Sequence, residues 1–240
     1  MTKGNVSLIA QNLVSALVMI AAASLQGCGT AQIAMSPETG AELRSAPVVH
    51  VVKYRSGGMS MMTPKSAVGA GLVASMTGSS ELADGSSLVR AYGLPDQADA
   101  VSNLLAEKLK AEGRISNLRL EPAFLPRPYV EDPAHYRSKY PSGLVLELSV
   151  DNPRASYGVM SWKTYTYGFA ARARLIRPSD GKILWSDACG LGVLGDEAVK
   201  RQLDVSEFEG NNGKRFKEVY NYSNERCSRI HADKLLGKAS

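Results

Sequence analysis

Three histidines, three cysteines and a cluster of methionines are the side chains of this 240-residue sequence whose chemistry could define a site. His50, His135 and His231 are scattered along the chain, and no close spacing marks them as metal ligands or an acid–base pair. Met59, Met61 and Met62 offer thioethers of the kind that hold Cu(I), although methionine is more commonly a gap filler in a core. The sequence contains no Gly-x-Ser-x-Gly nucleophile elbow, no Walker loop and no His-Glu-x-x-His pair. Gly190 to Gly195 (GLGVLG) could cradle a phosphate with backbone amides. It lacks the lysine and the full spacing of a phosphate loop and reads rather as a flexible strand exit. No catalytic residue, metal site or cofactor is assigned from these residues.

The cysteine at position 28 has a more specific context. Lys3 supplies an early positive charge, Leu13 to Leu25 is densely apolar, and small residues then lead to Cys28. This is the order of a secretory signal, and the run is short for a span of about 20 apolar residues. Leu25-Gln26-Gly27-Cys28 resembles the bacterial lipobox, with Gln26 standing where a small or apolar residue is usual. The resemblance implies cleavage before Cys28, which becomes an acylated (palmitate-type) first residue. Several acyl chains, at ~0.8 kcal/mol per buried methylene, anchor a protein almost permanently. Gly29 is not the aspartate that favours inner-membrane retention, so the same resemblance implies a periplasm-facing protein of the outer membrane. The competing reading is an ordinary signal peptide cut nearby, with Cys28 a free thiol.

If lipid takes Cys28, Cys189 and Cys227 remain. An even pair in an oxidising compartment reads as one disulfide. Closing a loop of about 38 residues, it would contribute ~3–4 kcal/mol in the chain-entropy model; two buried thiols are the alternative. A formal net charge of +5, with acidic residues interspersed, gives no basic stripe for nucleic acid.

The elements that must position these residues follow from periodicity. Residues 28–47 carry no period and read as a flexible tether behind the signal of residues 1–27, leaving 48–240 as one domain. Val48 to Tyr54 predicts a strand. Residues 56–87, rich in Gly, Ser, Ala and Met, read as a mobile loop with a short buried helix, or as a surface docking on a partner or lipid. Pro95 to Glu112 predicts a helix capped by Asp96, with Ala98, Val101, Leu105 and Leu109 on its apolar face and Gly113 ending it. Ile115 to Leu125 predicts a strand bent at Pro122. Four prolines in residues 126–141 argue against regular structure, and Tyr129, Tyr136 and Tyr140 there could form a recognition surface. Leu144 to Val150 alternates as a strand, Asp151-Asn152-Pro153 reads as a turn, and Trp162 to Arg177 alternates again. Pro178 to Gly181 is a tight reversal, and Lys182 to Gly190 returns, with Asp187 opposite Arg172 or Arg174. A final helix from near Asn212 to Leu236 buries Phe216, Val219, Tyr220, Cys227 and Ile230, placing Cys227 where it could meet Cys189.

The lipobox, the early helix and the Asp180-Gly181-Lys182-Ile183-Leu184-Trp185 hairpin resemble bacterial envelope lipoproteins of the TolB amino-terminal or curli-secretion type. The resemblance spans about residues 90–236 and brings no catalytic residues. Together these readings predict an α+β domain, a mostly antiparallel sheet with helices packed on one face. They point to a non-enzymatic accessory, assembly or protein-binding factor. A lipid or small-ligand carrier is the alternative, and an enzyme acting on cell-wall polymer the third reading. The expected partners are the membrane and an envelope protein, or a second copy of the chain.

Overall fold

The computed structural model describes residues 32–61, 83–84, 86–126, 132–158, 161–191, 203–204 and 211–238. Residues 1–31, which include Cys28, lie outside them, as do Met62, Tyr129 and most of the Gly/Ala/Met-rich segment.

The expected tether is corrected first. Helix α1 (Pro37–Ser45) opens with Ser36 accepting a hydrogen bond from the Thr39 amide at 3.1 Å, and Pro37 suits its first turn. Leu43 and Ala46 enter the main core, and Glu42 forms a two-pronged pair with Arg177. Ahead of the helix, Ile33 exchanges both backbone hydrogen bonds with Ser186, each 3.1 Å. The fold therefore includes Ile33 and helix α1, ahead of residue 48.

Strand β1 (Val49–Tyr54) leads through the short strands β2 (Ser60–Met61) and β3 (Ala83–Asp84) and helix α2 (Ser86–Ala91) to helix α3 (Gln97–Ala111). Asp96 caps α3 as its sequence predicts. Strand β4 (Leu118–Leu125) follows and lies parallel to β1; the register slips between Val51 and Lys53, opposite Pro122. Next come a 3₁₀ turn (Pro133–His135), helix α4 (Tyr136–Lys139), and strands β5 (Leu144–Gly158), β6 (Ser161–Arg177), β7 (Lys182–Leu191) and β8 (Leu203–Asp204). Helix α5 (Lys214–Leu235) closes the chain.

β5 joins two kinds of sheet. One edge pairs in parallel with β1 and then with β2; the other pairs antiparallel with β6, which pairs antiparallel with β7. Across the middle the order is β4-β1-β5-β6-β7. The sheet is mixed, correcting the expectation of a mostly antiparallel one. A strand–helix–strand crossover, here β1–α3–β4, lays neighbours parallel. Alternation along a strand reports faces, not direction. Asp151-Asn152-Pro153 is likewise not a turn: β5 runs through it, with a register irregularity between Asp151 and Arg154 that accommodates Pro153.

Helices α3 and α5 pack together on one face, over Val49, Val51, Leu146, Leu148, Phe169, Ala171 and Leu175. On the other face Tyr136 and Tyr140 cover Val52, Tyr54, Val145 and Ile176. The proline-rich segment thus forms helical turns where no regular structure was expected, because Asp132 caps the turn and Pro133 occupies its first position.

Candidate functional site

The structure scatters the residues that the sequence offered as a partner surface. Met59 and Met61 are buried in the main core, and Tyr136 and Tyr140 are buried on the opposite face. Met61, Tyr136 and Tyr140 fill gaps with their apolar bodies and present no recognition surface, Met59 borders the cleft described below, and Met62 and Tyr129 lie outside the described residues. Among the described residues no cluster of three His, Cys, Asp or Glu side chains is set to hold a metal ion.

The histidines also separate. His50 sits 2.8 Å from Glu121 and 4.6 Å, ring to ring, from Tyr140. His135 lies against Tyr136 at 3.9 Å and bonds the Asp132 carbonyl through Nδ1. His231 is on the helical face, fully buried, with Nδ1 2.9 Å from Asp187. Asp187 pairs in register with Ala173, not with an arginine, and its second oxygen accepts from Lys234 at 2.7 Å. Two residues further along β7, Cys189 is bonded to Cys227, with Cα atoms 5.5 Å apart. Strand period two and helix period four put both contacts on facing sides, so β7 and α5 are joined by a disulfide and an adjacent charged cluster.

Burial works against the charged form of Asp187, but hydrogen bonds from His231 and Lys234, and their charges, outweigh it and hold the carboxyl below its ordinary range. A depressed pKa contributes stability that is fully present above the unfolded value of about 3.9 and is lost as pH falls through the folded value. Acid unfolding of Asp187→Asn should therefore show a flatter dependence below pH ~4 than the parent, together with lower stability at neutral pH. Identical acid limbs would show that Asp187 is not linked to folding.

A concave feature with convergent polar groups lies elsewhere among the described residues, where the carboxyl end of β1 meets the start of α3. It is a cleft of about 470 Å³ lined by Arg55, Ser56, Gly57, Gly58, Met59, Ser86, Val89, Arg90, Leu94, Asp96, Gln97, Pro153 and Tyr220. That volume suits a small ligand or a few side chains of a partner. Asp96 organises it. Its carboxylate accepts from the Ala98 amide (2.9 Å), the Ser56 amide (3.1 Å) and the Ser56 hydroxyl (2.7 Å), fastening the 55–58 loop to the helix start. Gly58, at φ +82°, turns the loop, and a Cβ there would stand 2.7 Å from the Ser86 hydroxyl. Tyr220 donates to the Pro95 carbonyl. Burial, then the Asp96 charge, pushes its hydroxyl well above the ordinary range, so it stays protonated. Buried Gln97 donates to Tyr167 at 2.6 Å, while its Oε1 finds no partner among the described residues. Arg55 stacks on Phe124, 4.5 Å from the ring centroid.

This lining offers hydrogen-bonding and charged groups that can recognise a ligand. Arginine cannot deprotonate, and Asp96 is committed to its hydrogen bonds. Asp96→Ala should lower stability by about 1–2 kcal/mol through loss of the cap and speed amide exchange in residues 55–58. Unchanged exchange there would mean the loop is held by something else. The cleft was missed in the sequence because its residues come from four distant segments; only the Gly57-Gly58 pair and the Asp96 cap were visible signals.

No protein-family model matches the chain, and no curated protein matches it significantly. Solved structures resemble it loosely. A PelC dodecamer from Paraburkholderia phytofirmans has 16% identity and a TM-score of 0.36, covering 88% of this chain and 96% of that one. Protein XCC0632 from Xanthomonas campestris has 10% identity and a TM-score of 0.44, covering 86% and 92%. Lipoprotein GNA1162 from Neisseria meningitidis has 16% identity and a TM-score of 0.29, covering 77% and 99%. Likenesses this distant fix neither family nor function.

Proposed function

We propose that this chain is a lipoprotein of the bacterial envelope, held at the outer membrane through acyl chains on Cys28. It acts there as a non-enzymatic accessory or assembly factor that binds another envelope protein at the Arg55–Asp96 cleft. The observation that carries the reading is the Cys189–Cys227 disulfide in a chain with a lipobox-like start. Disulfides persist in oxidising compartments, so two independent features support export. No helix among the described residues is long and apolar enough to cross a membrane.

The test is a photoreactive residue in place of the exposed Arg90 on the cleft rim, irradiated in cells, with the products identified by mass. The reading expects one discrete envelope protein, with yield falling when Asp96→Ala loosens the cleft. Capture of only a second copy would make the partner the chain itself. A substrate turned over by the purified domain would overturn the reading. The second reading, a small-ligand carrier, draws on the cleft's size and its apolar Met59, Val89, Leu94 and Pro153. A reproducible small molecule in native mass spectra would favour it.

A further inference from the structure

The order in which the chain enters its fold restricts how an anchored domain can stand. Cys28 precedes Ile33 by five residues, and five residues span at most about 18 Å when fully extended. Ile33 is not loose: it is bridged to Ser186 on β7, and helix α1 follows it directly, with Leu43 in the core. The short lead therefore ends at one edge of the sheet. For the opposite edge, β4, to meet the membrane instead, Ile33, one spacing outside β7, would have to sit five strand spacings higher, ~24 Å before any side chain is added. That exceeds the reach. Among the residues whose side-chain exposure is described, two large hydrophobic side chains are exposed, and one of them is Ile33 itself, 38% accessible. The other, Tyr222, lies on α5.

We propose that the outer edge of β7, with Ile33 and α1 beside it, lies against the headgroup surface of the bilayer that holds Cys28. The inference rests on the reading of Cys28 as acylated. It adds an orientation to that reading: the cleft, at the end of β1, stands three strand spacings (~14 Å) from the anchored edge.

The experiment uses the full lipidated protein in vesicles of phosphatidylethanolamine and phosphatidylglycerol, read by amide hydrogen exchange. It is compared with the same protein carrying a long Gly/Ser insert between Gly29 and Thr30. With the native lead, amides of residues 32–45 and 182–190 should exchange about threefold or more slowly than with the insert, while 55–61 and 118–125 stay unchanged. Equal rates in the two proteins would overturn the orientation, as would slowing confined to 118–125. Protection of 182–190 that persists without vesicles and rises with protein concentration would assign the edge to a second copy and overturn it too. The intact mass separates the two failures. An acylated Cys28 with equal rates sinks only the orientation, whereas an unmodified Cys28 removes the reading beneath it.

Discussion

Replacing Arg174 with methionine is expected to cost the domain about 3–5 kcal/mol, because it strands a buried charge. Glu147 is 1% exposed, and its carboxylate receives two bonds from Arg174, both 2.8 Å, and one from the Tyr136 hydroxyl at 2.6 Å. Burial, and then the Glu147 charge, raises the Tyr136 hydroxyl far above its ordinary range, so it remains a donor. With Arg174 gone, one neutral donor faces an anion cut off from water. The same logic predicts rescue. Glu147→Gln combined with Arg174→Met removes both charges and should recover most of the loss, since a buried pair is worth little against a well-packed neutral replacement. Urea unfolding of the three variants measures this. A loss under about 1 kcal/mol for Arg174→Met would mean that water reaches Glu147.

The second large effect belongs to the disulfide. Cys189→Ser or Cys227→Ser should each lower stability by ~3–4 kcal/mol, with the double variant no worse than either single one, since one link is lost in every case. Reduction of the parent should give the same loss. Additive losses would mean that the two sulfurs pack independently. The bond closes a span of 38 residues and ties α5 to β7 beside the Asp187–His231 contact. Its loss should therefore also speed exchange along α5.

What the sequence made legible was the helical face. Asp96, the apolar stripe of α3 and the spacing of Phe216, Val219, Tyr220 and Cys227 all follow from one element's own periodicity, and each is where the pattern predicts. The cysteine pair was readable for the same reason. What stayed hidden depends on a second element. Glu147 alternates with leucines and reads as solvent-facing, until Tyr136 folds over it. Tyr136 reads as an exposed loop residue for the complementary reason. Helix α1 was read as tether because nine residues containing Pro37 and Gly40 show no apolar period; Leu43 alone of its large apolar residues enters the core. The cleft combines β1's end, α2, α3's cap, Pro153 of β5 and one residue of α5, segments that meet only in the fold.

Anchoring rests on Cys28, and the mass of the protein isolated from bacterial membranes tests it most directly. A mature chain starting at Cys28, heavier than its sequence by the acyl groups and lighter by the two hydrogens of one disulfide, is the predicted result. A chain that starts elsewhere, or at an unmodified Cys28, would contradict the anchor and the orientation built on it.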